Sequence, residues 1–418
     1  MFKLLRIPQQ VSVLLCELEV FFTLPQWVHF QTMLVSMLIT PFKATVRGRM
    51  RVLEFGTHRT KHNEFLQKAD TLVQKALGFY AMKLIALLHE SASKSEALYI
   101  ILDDTKTAKR GKHVQAAFLL YDHTTKHFLW GQQFVCVTLQ YRGMLIPYAI
   151  ELYRCKTDCQ QRSLPFRKVT QIAQDLLTAL PDFGVKQAYV LADTYYASKD
   201  IIRTVRAQGI HFISFLKSNR RITINGRSTI VRRYLKSHFS KERKHSLTVG
   251  SGRYRTLRRL CTVPRIGDVV VVFSQIKGHH MIMPLFSTDT TLTTQEVISM
   301  YRKRWSIEVL FKLSKQYLGL TAYHHRDEHA ARTHLQLVLL SHALLTHLFV
   351  SEQRAQGKTL TNKLLATFSL RDTQQHLRAL VATDTLDCVK DHVPKRWLPT
   401  AHYKEQIIDQ VKSYLLAA

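Results

Sequence analysis

Apolar and polar positions along this chain change rhythm twice. Up to about residue 90 they recur at helical spacing, in stripes over 11–22, 31–39 and 64–88, with Pro25 and Pro41 as punctuation. From residue 97 the rhythm is that of strands. Leu98-Tyr99-Ile100-Ile101-Leu102 is a continuous apolar run, the pattern of a strand buried on both faces, and it stops at Asp103-Asp104-Thr105. Runs at 114–121, 128–139 and 144–152, parted by turn residues at 122–125 and by Gly143, predict an antiparallel meander. A helix over 164–180 leads to a second apolar strand at 188–192, which stops at Asp193-Thr194. A helix at 200–208 and a strand at 211–216 follow. This order predicts a mixed α/β sheet with helices packed on its faces.

The second change comes near residue 220. Short strand-like runs at 222–224, 247–249, 260–263, 269–273 and 281–285 alternate with dense positive charge, including Arg232, Arg233, Lys241, Arg243, Lys244, Arg253, Arg255, Arg258 and Arg259. They predict a β-rich insertion with a basic face, on which Tyr254 among the arginines suits contact with nucleic-acid backbone and bases, a solvated charge run being the alternative. Thr293-Thr294-Gln295-Glu296 then has the form of a capping box and opens a helix over 294–318. Further helices are expected at 331–350, 363–368, 374–382 and 404–416. The chain thus divides into a helical basic part (1–92), the first segment of a core (93–219), the insertion (220–290), a closing helix (291–325) and a helical C-terminal part (326–418).

Composition narrows the class. With 418 residues, 46% of them hydrophobic, the chain can bury a substantial core in two or three domains. Lys and Arg number 60 against 30 acids, a net charge of +30 spread over the chain, which points to nucleic acid ahead of an acidic membrane. The stretch containing Lys43, Arg47, Arg49, Arg51, Arg59 and Lys61 suits a DNA grip, without a helix-turn-helix signature. Six scattered cysteines fit a reducing compartment, and Cys155 and Cys159 lack a second pair at ligand spacing. Glu17 and Glu19 break the first apolar run, so no signal-peptide layout is present, and 335–350 is short and carries His342 and His347, as a buried helix does. A soluble intracellular protein is the expectation. His324, His325 and His329 fall in a loop, where DNA contact is as good a reading as metal binding.

The candidate chemistry centres on residues 301–315. Tyr301, Arg304, Glu308 and Lys315 stand at offsets 0, 3, 7 and 14. At roughly 100° per residue these fall within about 60° on one helix face. On an arbitrary helix, Arg304 with Glu308 is an ordinary i,i+4 ion pair. Here the predicted strand ends add Asp103 or Asp104 and Asp193, and open α/β sheets place ligands at such ends. Asp193 by itself reads equally well as a cap or loop aspartate. Three buried carboxylates together need cations, and Mg²⁺ or Mn²⁺ suits hard oxygen donors.

Tyr301-x2-Arg304-x3-Glu308-x6-Lys315 matches the Y-x2-R-x3-E-x6-K signature, and through it residues 95–325 resemble the DDE transposases of the insertion-sequence-four family. Asp103-Asp104-Thr105 and Asp193-Thr194-Tyr195-Tyr196 resemble that family's two aspartate regions. The resemblance implies a ribonuclease-H-like core interrupted by a β-rich insertion. It also implies two Mg²⁺ or Mn²⁺ ions held by Asp193, Glu308 and either Asp103 or Asp104. Asp103 follows the apolar run directly, and neighbours on a strand face opposite ways. Tyr301, Arg304 and Lys315, with Arg255 and Arg258 of the insertion, are then expected on DNA. The implied activity is cutting of terminal inverted repeats and joining of the ends to double-stranded target DNA. A homodimer on paired ends, in the cytoplasm and at the nucleoid, with no membrane partner, would carry it out. Two alternatives share these features: a ribonuclease-H-like nuclease or resolvase, and a non-catalytic DNA-binding relative.

Overall fold

The computed structural model describes residues 7, 9–39, 45–50, 58–93, 95–122, 125–239, 241–242 and 244–392. The helix expected at 404–416 and the basic residues Lys43, Arg51 and Arg243 lie outside the described residues. The N-terminal helices are α1 (Gln9–Leu15), α2 (Leu24–Ile39), α3 (Val46–Met50), α4 (Arg59–Lys68) and α5 (Asp70–His89). A 3-10 turn at Cys16–Phe21 follows α1. Pro25 lies in the first turn of α2, where its missing N–H is no loss. The stripe at 64–88 is two helices, parted at Ala69.

The sheet begins with β1 (Leu98–Ala108), β2 (Phe118–Asp122), β3 (His127–Tyr141) and β4 (Met144–Tyr153). After α6 (Lys156–Gln161) and α7 (Val169–Thr178) come β5 (Ala188–Ala192), α8 (Lys199–Ala207) and β6 (His211–Phe215). The run at 114–121 forms a strand only from Phe118. The first aspartates are not at a strand end, as the apolar run implied. β1 continues to Ala108 because β3 pairs with it antiparallel as far as Ala108 opposite Gly131. The strand that does end there is the parallel partner β5, whose last pair is Ala192 with Leu102. Asp103 therefore lies level with the point where β5 leaves the sheet and Asp193 begins the next loop.

The insertion contributes β7 (Arg221–Ile224), β8 (Arg227–Ile230), α9 (Val231–Tyr234), β9 (His245–Val249), β10 (Gly252–Val263), β11 (Gly267–Ile276) and β12 (Ile282–Ser287). β10 is longer than its apolar run at 260–263. Its first half alternates exposed Arg253 and Arg255 with buried Tyr254 and Thr256, so Tyr254 packs inward and is not presented on the exposed basic face. The insertion strands join the core sheet: β12 pairs antiparallel with β6. A single sheet thus runs β2-β3-β1-β5-β6-β12-β11-β10-β7-β8, with β4 on β3 and β9 on β10. This is the expected α/β, ribonuclease-H-like mixed sheet with flanking helices, extended by its insertion.

The chain closes with α10 (Thr294–Arg302), α11 (Ser306–Tyr317), α12 (Glu328–Ala355), α13 (Asn362–Leu365) and α14 (Leu370–His392). The capping box forms as its spacing predicts: Thr293 Oγ1 accepts from Glu296 N at 3.2 Å, and Glu296 Oε2 accepts from Thr293 N at 2.8 Å. The helix expected over 294–318 is interrupted by a 3-10 turn at Lys303–Trp305. α12 is apolar on nearly every side and packs against α2, α4, α5, α14 and β4. Both α5 and α12 are long and apolar enough to cross a membrane, but 94% of the most apolar window of α12 is buried inside the protein. Its His347 meets Tyr80 of α5 at 2.6 Å.

Candidate active site

Three elements meet where β5 leaves the sheet: the middle of β1, the loop after β5, and the junction of α10 with α11. The 3-10 turn at that junction carries Arg304. Its guanidinium donates through Nη1 to Asp103 Oδ2 at 2.6 Å and through Nη2 to Glu308 Oε1 at 3.1 Å. Asp103 and Arg304 are both 17% exposed at the side chain and Glu308 is 38% exposed, so the pair is largely withdrawn from water at the Asp103 end.

Asp104 faces different partners, as adjacent strand residues must. Its Oδ2 accepts from Gln133 Nε2 at 2.8 Å and its Oδ1 from Tyr196 Oη at 3.3 Å. Asp193 closes a tight loop, its Oδ1 accepting from Tyr195 N at 2.8 Å and Tyr196 N at 3.4 Å. That loop places Tyr196 under Asp104 and leaves Tyr195 53% exposed. Tyr301 is buried, its ring edge-on to Phe215 with centroids 4.7 Å apart and 6.0 Å from the Arg304 guanidinium.

The electrostatics are those of crowded carboxylates. Burial pushes the Asp103 carboxyl up to about 6, against the pull of Arg304 and with the added repulsion of Asp104 and Asp193. Burial also raises Asp104, opposed by Gln133, Lys106 and Tyr196 and reinforced by Asp193. Burial works against the Arg304 charge, yet Tyr301, Asp103, Glu308 and Asp193 together hold it above the ordinary guanidinium range. The charge of Asp193 therefore reaches both β1 aspartates and Arg304. Burial lifts the Tyr301 hydroxyl to about 12, so it stays a neutral donor at working pH.

The structure brings Asp103, Asp104, Asp193, Tyr301, Arg304 and Glu308 into one neighbourhood. Lys315 lies farther off, exposed on α11 seven residues after Glu308, about 10 Å along the helix axis. The two insertion arginines differ. Arg255 is exposed and lines a cavity of about 680 Å³ with Arg253, Lys277, His279 and His280. Arg258 has its donors engaged by backbone, on Thr290 O at 2.8 Å and Leu292 O at 3.2 Å, where it fastens the loop leading into α10.

Sequence reasoning named Tyr195 and Tyr196 only as neighbours of Asp193; it gave no role to Gln133 and Tyr196, which hold Asp104, nor to the exposed rings of Tyr195 and Trp305, the latter 61% exposed beside Arg304. The helix-wheel argument could not flag Trp305, since one residue is a rotation of about 100° from the stripe. Among the described residues no three of His, Cys, Asp and Glu converge tightly enough to hold an ion as they stand. The Arg304 guanidinium, bonded to both Asp103 and Glu308, supplies the positive charge between them.

Two protein families match the chain. A transposase DDE domain matches residues 168–344, a span that holds Asp193 and Glu308. A DDE superfamily endonuclease matches residues 19–246, a span that holds Asp103, Asp104 and Asp193. No curated protein matches the chain. The endonuclease match covers more than half of the 418 residues, and with the carboxylates gathered at the β1–β5 edge the chain belongs to the DDE superfamily of endonucleases.

Proposed function

We propose that this protein is a transposase of the insertion-sequence-four type, which cuts the ends of its own element and joins them to target DNA. One observation carries the reading. Asp103 and Glu308, far apart in sequence and on different elements, meet on one guanidinium within the field of Asp193. Buried acids are gathered at such energetic disadvantage where a cation is to be held. The donor set, carboxylate oxygens from Asp103, Asp193 and Glu308, fits Mg²⁺ or Mn²⁺. Two such ions, when bound, supply Lewis-acid activation of the attacking and leaving oxygens of a phosphodiester.

The chain's own groups have distinct tasks in this reading. Asp103 is the β1 ligand, because it shares Arg304 with Glu308 while Asp104 is committed to Gln133 and Tyr196. Arg304, once its carboxylates are neutralised otherwise, is free to turn to a strand phosphate. Tyr301 is held beside it by Phe215. Lys315 and Arg255 extend the basic track along the DNA. Joining both ends of one element calls for two such centres, hence a homodimer on paired ends. The free cysteines, Cys16, Cys136, Cys155, Cys159 and Cys261, agree with work in the cytoplasm, at the nucleoid.

The test uses purified protein, Mg²⁺ and a labelled duplex carrying the inverted repeat that flanks its coding region, with Glu308→Gln in parallel. Cleavage at the repeat end followed by joining to a second DNA, absent in the variant, is expected. Cleavage without joining would assign a nuclease instead. Tight binding with no cleavage in either Mg²⁺ or Mn²⁺ would assign a DNA-binding relative.

A further inference from the structure

Apolar side chains gather in the open on the ribbon formed by β2 and the start of β3. The register pairs Leu119 with Trp130 and Tyr121 with Phe128, and in a pleated antiparallel pair these four share one face. Leu119 is 61% exposed, Phe128 66%, Tyr121 39% and Trp130 38%. Leu120, on the opposite face, is buried. The rings are held in place. Tyr121 and Phe128 meet edge to face with centroids 5.3 Å apart, and the Trp130 indole donates to Gly111 O at 3.1 Å. Three fixed aromatic rings and a leucine on one open face mark a contact surface.

The charge around the patch says what it meets. Residues 105–130 hold five cations, Lys106, Lys109, Arg110, Lys112 and Lys126, against one acid, Asp122. The bond from Trp130 to Gly111 brings exposed Arg110 and Lys112 to one side of the rings, and exposed Lys126 stands at the hairpin end. Lys106 joins the ribbon to the strand that carries Asp103 and Asp104, donating to Tyr121 O at 2.8 Å. The charge of Asp122 reaches Lys315 of α11. By register Trp130 shares the sheet face of Cys136, the partner of Asp103, six residues or about 20 Å away along β3. A second copy of the chain fits the patch poorly. The four side chains offer about 400 Å² per copy, so two copies would bury about 800 Å² of it, short of the roughly 1,200 Å² of a specific interface. Such a pairing would also set two basic ribbons against each other.

We propose that this ribbon is a stacking platform for unpaired DNA bases, with Tyr121, Phe128 and Trp130 as its rings and Arg110, Lys112 and Lys126 along the strand's phosphates. Any base has a face to lay on a ring, while cations follow the backbone. An intact duplex keeps those faces stacked within itself. A strand parted from its complement beside the carboxylate centre would lie within reach. That role in the reaction rests on the transposase reading; the single-strand contact does not.

The test is fluorescence anisotropy with the full chain in chelator, using a short labelled oligothymidine and a labelled duplex. Phe128→Leu keeps an apolar side chain and removes the ring. It should weaken oligothymidine binding about tenfold and leave duplex binding within about twofold. The position is exposed, so Tm should not change. Phe128→Tyr should restore the wild-type affinity. Arg110→Met should flatten the slope of log affinity against log salt for the oligothymidine by about 0.7. Equal oligothymidine affinity in wild type and Phe128→Leu overturns the proposal and leaves a basic surface without a platform. Equal losses on oligothymidine and duplex, with loss of a wild-type dimer, also overturn it and assign the patch to contact between copies. No cutting is needed for any of these readouts, so a protein that passes them yet cleaves no DNA in Mg²⁺ refutes only the transposase reading.

Discussion

Replacing Arg304 by Met would expose how the carboxylate centre is held together in the absence of metal. The substitution leaves Asp103, 17% exposed, facing Asp104 and Asp193 without the one cation bonded to it among the described residues. Breaking a buried ion pair costs about 3–5 kcal/mol, and the partial exposure of both partners brings the expected loss to about 2–3 kcal/mol at pH 8. Glu308, 38% exposed, adds little. The loss should depend on pH in a definite direction. With Arg304 present, the folded-state value of Asp103 is about 6, above the ordinary carboxylate range, and removing Arg304 raises it further. Below about pH 6 Asp103 is protonated in both folded proteins, and the gap between them is small. As pH rises past 6 the wild type ionises first, and the gap opens. Urea unfolding in chelator at pH 5 and pH 8 reads both quantities, and repeating it with millimolar Mg²⁺ reads a third. If Asp103 and Glu308 are metal ligands, the divalent ion should recover part of the loss at pH 8. A gap of equal size at both pH values, untouched by Mg²⁺, would refute the electrostatic account.

Three other outcomes follow from the same structure. Asp70 accepts from His329 Nδ1 at 2.8 Å, from Thr71 N at 2.8 Å and from Arg332; despite burial these partners hold its carboxyl below the ordinary range. It therefore contributes stability above about pH 4 that disappears on further acidification, and Asp70→Asn should cost about 3 kcal/mol at pH 7 by urea unfolding and flatten the acid limb. Gly131→Ala would drive a methyl group into the carbonyl of Thr107 on the paired strand, so the β1–β3 ladder must shift; a loss of about 1–3 kcal/mol is expected, and an unchanged midpoint would contradict the register. Arg255→Ala should weaken duplex binding and reduce its salt slope by about 0.9, whereas Arg258→Ala, whose donors hold the loop before α10, should lower Tm with little change in that slope.

Much of this was legible in the sequence where a short-range rule governs. The capping box at Thr293 and the apolar strands at 98–102 and 188–192 are decided by neighbouring residues, and they form as their patterns require. Errors arose where a distant partner decides. β1 outruns its apolar stretch because β3 is long enough to pair with it to Ala108. The 294–318 stripe is interrupted at Lys303–Trp305, where Arg304 nevertheless bonds both Asp103 and Glu308. In β10 the arginines mask an alternation whose inward half includes Tyr254. The burial of Arg49 is the extreme case. In the sequence it is one more cation in a basic stretch, and only the folded chain shows its guanidinium buried without a hydrogen-bond partner among the described residues.

The position of α12 has a kinetic consequence. α2, α4 and α5 close over a helix made more than 230 residues after the last of them, and it is the main packing partner of α4 and α5 among the described residues. During synthesis their apolar faces must wait for Glu328–Ala355 to emerge. Contacts so distant along the chain form slowly and leave collapsed, sticky intermediates in the interval. Chains stopped short of α12 should accumulate as insoluble fragments, however well their β-strands pair, and holding chaperones should raise the yield of the full chain more than low temperature does.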